Sequence, residues 1–251
     1  IFAPKKEIVA MTQQVAGLYG GEKVGQYYKV VKRDSTEETG GIDKEVFQHL
    51  LGELPMSLRG KRVLDVGCGD GRWSEVLHER GAMEVIALDN SPEMLARAFA
   101  RKAEHRLNRL SLVLCDMQEL PLKDGLIDLA LASFCLMYFS NLRSVMGEIA
   151  RVLTPGGSLF IATNLVEVYP SDLACQLEGE VFPIEVQLGA GDALVLDNVV
   201  QPLRWYLDAF RASGLSIQSC PEFAPEGLAI AAHYSWRSNL ELSKAMFHLV
   251  R

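Results

Sequence analysis

An α/β fold, with a doubly wound and mostly parallel sheet, is what this sequence predicts, and three observations carry it. Strand-length apolar runs alternate with amphipathic helical segments from 62 to 163. Runs such as Val85-Ile-Ala-Leu88 lack polar alternation, as strands covered on both faces should. The first strand and the first helix of the series are joined by a three-glycine turn, inside Val63-Leu-Asp-Val-Gly-Cys-Gly-Asp-Gly-Arg-Trp73. The pattern predicts strands near 62–66, 84–88, 111–115, 127–132 and 157–163, and helices near 72–81, 92–109 and 141–153. Ser140 or Asn141 caps the last of these helices, and Pro155-Gly156 stops it.

A strand that ends in a glycine turn and a helix is a place to hold a nucleoside. Gly67 and Gly69 let the backbone turn and admit a ligand without a Cβ in the way, while Gly71 permits close helix-to-strand contact. Asp65 stands where the apolar strand ends, a costly position unless its carboxylate takes loop N–H groups or a cationic ligand. Asp89 closes the second strand and suits a ribose diol, which it engages through two hydrogen bonds. That acid alone would serve a nicotinamide dinucleotide equally well. The dinucleotide fingerprint, however, is Gly-x-Gly-x-x-Gly around a pyrophosphate. Here the spacing is Gly-x-Gly-x-Gly, with Asp65 before the turn and Asp70 inside it. Two carboxylates repel a pyrophosphate and favour a ligand with ammonium or sulfonium groups.

Residues 63–73 resemble the first motif of the class I S-adenosylmethionine-dependent methyltransferases. Four further segments resemble that family in order: Asp89-Asn-Ser-Pro-Glu-Met-Leu95, Cys115-Asp-Met-Gln-Glu-Leu-Pro-Leu122, Leu126-Ile-Asp-Leu-Ala-Leu-Ala-Ser133, and the helix 145–152 running into Leu153-Thr-Pro-Gly-Gly-Ser-Leu159. The resemblance spans about 60–165, with a weaker echo over 202–236. It implies a Rossmann-like, seven-stranded sheet with the last strand antiparallel, an N-terminal lid and a β-rich insertion. It implies S-adenosylmethionine as cofactor and S-adenosylhomocysteine as product. Asp65 with Gly67, Cys68 and Gly69 would hold the amino-acid part, and Asp89 the ribose, followed by Asn90 and Met94. Asp116 would meet the adenine amine, Met117 the adenine face, and Ser133 the end of the fourth strand. The plain alternative for Asp116 is an acid that caps a turn.

Composition fits one cofactor domain with additions. The chain of 251 residues has a formal charge of -7, so no polybasic surface announces nucleic acid or phospholipid. Its apolar runs are too short to cross a membrane and its first residues lack a signal-peptide core, so the expected location is cytoplasmic. Cysteines 68, 115, 135, 175 and 220 show no metal or redox spacing, and neither a structural metal nor a disulfide is expected.

The expected organisation is a helical lid over 1–60, a core over 61–164 and 202–236, a substrate-cover insertion over 165–201 and a tail over 237–251. In the lid, Tyr27 and Tyr28 are candidates to face the substrate, Tyr28 also as a base, although tyrosines packed on the domain fit the same pattern. The insertion carries seven acids, Glu167, Asp172, Glu178, Glu180, Glu185, Asp192 and Asp197, and no lysine or arginine. Segments 180–188 and 193–197 around Gly189-Ala-Gly191 read as a β-hairpin. An acidic cover disfavours an anionic acceptor; solvated surface is the alternative for those acids. Residues 202–213 predict a helix, 215–220 and 228–234 the last two strands, and 239–251 a short helix with Leu242, Met246 and Leu249 on one face.

Methyl transfer from a sulfonium needs an in-line nucleophile, positioning and exclusion of water, without a metal. Phe134, Met137, Tyr138 and Phe139 offer an apolar acceptor wall, with Tyr169 in the cover. His233, near the end of an expected strand, is a candidate base that fits a sheet residue as well. The resulting expectation is a methyltransferase, monomeric or homodimeric, acting on a small neutral or cationic metabolite, aromatic and heterocyclic ones included, with no nucleic acid or membrane as partner. The alternatives are a nicotinamide-dependent oxidoreductase and a non-catalytic nucleoside-binding partner subunit.

Overall fold

The computed structural model describes residues 42–168, 181–189, 192–199, 201–220 and 240–251. In chain order these form α1 (Ile42–Glu53), β1 (Arg62–Val66), α2 (Arg72–Glu79), β2 (Glu84–Asp89), α3 (Pro92–Glu104), β3 (Leu110–Leu114) and β4 (Ile127–Ser133). A single 3-10 turn, Leu136–Tyr138, precedes α4 (Leu142–Val152) and β5 (Leu153–Val168). There follow β6 (Val181–Gly189), β7 (Asp192–Val199), α5 (Leu203–Ala212), β8 (Ser216–Ser219) and β9 (Leu240–Val250).

Seven strands make one sheet in the order β3-β2-β1-β4-β5-β9-β8. The first five run parallel and β9 is antiparallel to both neighbours. The chain steps outward from β1 to β2 and β3, then returns to the other flank of β1 with β4. Strand pleating divides the buried residues between two layers. Leu64, Val66, Ile86, Leu88, Ala130 and Ala132 point to the layer capped by α4 and α5, while Val63, Val85, Ala87, Leu129 and Leu131 point to the layer of Leu50 of α1, Leu54 just after it and Leu77 of α2. Both faces are covered, which is why these strands read as continuous apolar runs.

Local chemistry sets the helix ends. Ser91 caps α3 by accepting from Met94 N–H at 3.2 Å, with Pro92 in the first turn. Asn141 caps α4 through Ser144 N–H at 3.3 Å. The expected helix over 92–109 ends at Glu104, because Arg106 turns into the left-handed region at φ 54°. Hairpin β6–β7 forms as expected, as a separate two-stranded antiparallel sheet.

The expected tail helix over 239–251 is corrected. Residues 240–250 form β9, inserted between β5 and β8, and this is the antiparallel strand that completes the sheet. Ala245, Phe247 and Leu249 enter one core layer and Met246 the other. Over 245–249 both faces are packed and two-residue alternation is lost, and the Leu242, Met246, Leu249 spacing imitates a helix. Strand β8 pairs with β9, and the expected strand at 228–234 lies outside the described residues.

A buried polar chain locks the layer of α5 to the turn after β4. Gln201 is 0% exposed and its Nε2 donates to Leu136 C=O at 3.2 Å and to Phe139 C=O. With both amide hydrogens used, Gln201 Oε1 accepts from Tyr206 OH at 2.7 Å, which leaves the Tyr206 oxygen to accept from Thr163 Oγ1, also at 2.7 Å. Tyr206→Phe would remove the hydroxyl that bonds both Gln201 Oε1 and Thr163 Oγ1. It should cost about 1–3 kcal/mol in chemical denaturation, with the slope of the transition unchanged.

Candidate functional site at the carboxyl ends of the strands

Pairing places the ends of β1, β2, β3 and β4 side by side. Val66 lies between Leu88 and Ala132, Asp89 pairs with Leu114, and Ser133 pairs with Ala162. Strand order reverses beside β1, and in open α/β sheets the ligand crevice lies at such a reversal.

The glycine turn is fixed by backbone bonds and one carboxylate. Cys68 N–H donates to Leu88 C=O at 2.8 Å, and Gly71 N–H to Cys68 C=O at 2.9 Å. Asp89 Oδ2 accepts from Gly69 N–H at 2.8 Å and its Oδ1 from Ser91 N–H at 2.9 Å. Burial raises the Asp89 carboxyl above its ordinary range, and bonds from the Ser91, Gly69 and Asn90 amides offset only part of that. Asn90 thereby serves Asp89 through its backbone.

Gly67 and Gly69 both adopt positive φ, at 65° and 54°, for different reasons. A Cβ on Gly67 would lie 2.4 Å from Cys135 Cβ and 3.4 Å from Met117 Cε, so this glycine is squeezed by the protein itself. A Cβ on Gly69 would meet nothing within 4 Å, so it faces open space. The expected role of Gly71 is corrected: its missing Cβ makes room for Ala98 of α3, 3.2 Å away, a helix-to-turn contact with no strand involved. Gly67→Ala combines left-handed strain with overpacking and should destabilise by about 3 kcal/mol. Gly69→Ala should cost about 1 kcal/mol in the same denaturation experiment.

Asp65 differs from its expected role. It is 1% exposed and its Oδ2 accepts from Ser74 Oγ of α2 at 2.5 Å, so it supports the turn from beneath and presents no surface to a ligand's ammonium. Burial first, then the nearby Asp89 charge, pushes its carboxyl up to about 7 against the lowering bond from Ser74. In the unfolded chain the same group titrates near 3.8. The fold therefore binds this proton more tightly, and stability present below pH 4 is lost as pH rises towards 7. Asp65→Asn should match the wild type in thermal melts at pH 4. At pH 8 it should be more stable by about 2–4 kcal/mol.

Asp70 also departs from its expected part. Arg101 donates to its Oδ2 at 2.7 Å and its C=O at 3.0 Å, and bonds Glu75 at 2.8 Å. Repulsion of a pyrophosphate by Asp70 is thus neutralised. What opposes a phosphate here is Asp89, which already takes the Gly69 N–H that a pyrophosphate would need.

Asp116 follows β3 and caps its own turn, accepting from Gln118 N–H at 2.8 Å through Oδ1, while Oδ2 meets Gln118 Nε2 at 3.4 Å. The turn-capping alternative is therefore realised, with Oδ2 left only weakly engaged. Met117, Met94 and Cys68 are buried. Burial holds the Cys68 and Cys135 thiols far above their usual range and pushes Cys115 up to about 12, so all three pack as neutral groups. Cys135 Sγ donates to Val66 C=O at 3.1 Å.

At the end of β4, Ser133 and Phe134 are half-buried, and Phe134 is left-handed at φ 51° with its N–H on Ala162 C=O at 2.7 Å. A bulky residue in that region is strained, and such strain gathers at functional sites. Tyr138 is half-buried, whereas Met137 and Phe139 of the expected wall are buried, Phe139 within the core layer. Tyr27, Tyr28, Tyr169 and His233 lie outside the described residues. Sequence reasoning missed Ser74, which bonds the Asp65 carboxylate, and Arg101, Glu148, Arg151 and Gln201, which act on the site largely through backbone groups; none carries a motif of its own.

Fold and strand-end site together define a Rossmann-like α/β domain with its ligand crevice beside β1. A family model described as a methyltransferase domain matches residues 64–161, and over that core the chain is similar to methyltransferases. A malonyl-[acyl-carrier protein] O-methyltransferase from Serratia marcescens is 34% identical over 129 residues, 51% of this chain and 48% of that protein. A demethylmenaquinone methyltransferase from Thermus thermophilus is 36% identical over 110 residues, 43% of this chain and 50% of that protein. The chain thus spans about half the length of these curated relatives. The solved geranyl diphosphate C-methyltransferase from Streptomyces coelicolor, in complex with Mg2+, geranyl diphosphate and S-adenosyl-L-homocysteine, shares the fold. Its TM-score is 0.64 at 17% identity, over 93% of this chain and 88% of that one.

Proposed function

We propose that the chain is an S-adenosylmethionine-dependent methyltransferase for a small neutral or cationic acceptor, ring-containing metabolites included. The observation that carries this reading is Asp89, a half-buried carboxylate at the end of β2 that accepts from the Gly69, Ser91 and Asn90 amides, next to the open space at Gly69. These residues fit a ribose diol and offer no amide cradle for a pyrophosphate, which disfavours the nicotinamide alternative. Asp116 Oδ2 is the acceptor for the adenine amine in this reading, and Met117 lies beneath the turn. Bound there, S-adenosylmethionine supplies an electrophilic methyl group on a sulfonium.

The chain's own part is to hold, orient and exclude water. Asp89 holds the sugar, the buried thiols keep the floor neutral, and Phe134 and Tyr138 orient the acceptor from the β4 end, joined by Tyr27 and Tyr169. If the acceptor carries a proton to be lost, His233 or Tyr28 takes it. The seven acids of 165–201, without a cation among them, oppose an anionic acceptor through repulsion. That distinguishes the proposed acceptor from the malonyl-[acyl-carrier protein] named for the Serratia relative and agrees with a neutral ring.

Calorimetry should give micromolar dissociation constants for S-adenosylmethionine and S-adenosylhomocysteine, about 8 kcal/mol. A metabolite screen with labelled methyl donor should yield a labelled product. Binding without any labelled product would favour the non-catalytic partner subunit; no binding at millimolar ligand would sink the proposal. Asp89→Ala should weaken S-adenosylmethionine more than tenfold while the fold survives, since charged, shielded bonds are worth about 1.5–3 kcal/mol each. Unchanged affinity would put the ribose elsewhere.

A further inference from the structure

The segment between β3 and β4 carries Asp116 and is fastened by two charged side chains of α4. Glu148 Oε2 accepts from Leu120 N–H at 2.7 Å. Arg151 donates to Leu120 C=O at 3.0 Å through Nη2 and to Leu122 C=O at 2.8 Å through Nη1. The two side chains bond each other twice, each time at 2.7 Å, and Arg151 also pairs with Asp124 at 2.6 Å. Backbone bonds from Gly125 N–H to Arg151 C=O and from Leu126 N–H to Val152 C=O close the far end, at 3.0 and 2.8 Å. On the near side, Glu119 N–H donates to Asp116 C=O at 3.1 Å, so Asp116 and Leu120 belong to one tight turn. Holding the Leu120 peptide therefore holds the far end of the turn whose near end carries Asp116, bonded to Gln118 N–H.

Apolar packing and the ion pair by themselves do not account for this arrangement. Leu120 and Leu122 are buried in the core and would hold the segment by apolar area alone. Arg151 and Glu148 are about a quarter exposed, at 29% and 22% of their side chains, where an ion pair contributes at most about 1 kcal/mol. Burial would raise the Glu148 carboxyl, but the bonds from Arg151 and Leu120 N–H outweigh it and hold the group below its usual range, ionised at neutral pH. A charged fork on successive carbonyls adds direction where packing adds only proximity.

We propose that Glu148 and Arg151 are positioning residues for cofactor choice, holding the Asp116 turn so that its carboxylate selects a purine with an exocyclic amine over one with an oxo group. This rests on the reading of Asp116 given under Proposed function. An adenine amine donates to Asp116, whereas the oxo group of hypoxanthine sets an acceptor against a carboxylate, and only a turn held in place enforces the difference.

The test is calorimetry with two probes, S-adenosylhomocysteine and S-inosylhomocysteine, on the whole chain as wild type, Arg151→Met and Glu148→Gln. The wild type should prefer the adenosyl compound at least tenfold. Both variants should lose most of that preference, to within threefold, while affinity for the inosyl compound stays within twofold of wild type. General loosening of the fold would weaken both probes alike and leave the ratio intact. A preference retained in Arg151→Met, or in Glu148→Gln should Arg151→Met not fold, overturns this inference alone. A wild type that binds both probes equally, or neither, overturns the Asp116 reading and this inference with it.

Discussion

The bond from Gly69 N–H to Asp89 ties the glycine turn of the first strand to the end of the second, and the rest of the site is arranged around it. With its other oxygen on Ser91 N–H, the same carboxylate sets where α3 begins. Two strand ends, a turn and a helix start are thereby held in one geometry by one side chain. Its charge also reaches its neighbours: after burial itself, repulsion from Asp89 contributes to the raised titration of Asp65, Cys68, Cys115 and Cys135. The site floor thus sets carboxylates beside thiols kept neutral by burial, a suitable setting for a cationic ligand.

Around this centre, polar side chains from outside act on backbone groups. Arg101 neutralises Asp70 and grips the turn from α3, Arg151 and Glu148 grip the segment after Asp116 from α4, and Gln201 grips the turn that carries Tyr138. Each joins a strand-end loop to an element already packed on the sheet. Loops at a ligand crevice bury little apolar surface of their own, so their conformation has to be set from the scaffold. Cys135 of the turn after β4 occupies the space a Gly67 side chain would need, so that turn packs directly against the glycine turn.

The core was legible because two-sided burial writes continuous apolar strands and one-sided burial writes amphipathic helices. The order of β1 to β5 and the hairpin at 181–199 follow from that rule and from turn residues. Residues 240–250 escaped it, since the segment 245–249, packed on both faces, gives no alternation, and the periodicity of Leu242, Met246 and Leu249 fits a helix equally well. Among site residues, Asp89 and Gly69 lie where the motif puts them. Asp65 and Asp70 illustrate the limit: their letters announce two charges at the turn, whereas one is buried against Ser74 and the other is paired with Arg101.

The sequence by itself determined the class of the domain, the two-layered core and the edge of the sheet where the ligand crevice lies, because these depend on residue type and local spacing. Tertiary structure alone decided which strand completes the sheet, which acids keep their charge and which side chains hold the loops. Those outcomes depend on burial and on partners far apart in the chain, such as Arg101 with Asp70 or Gln201 with Leu136, and pairing energy at that separation leaves no periodic trace in the sequence.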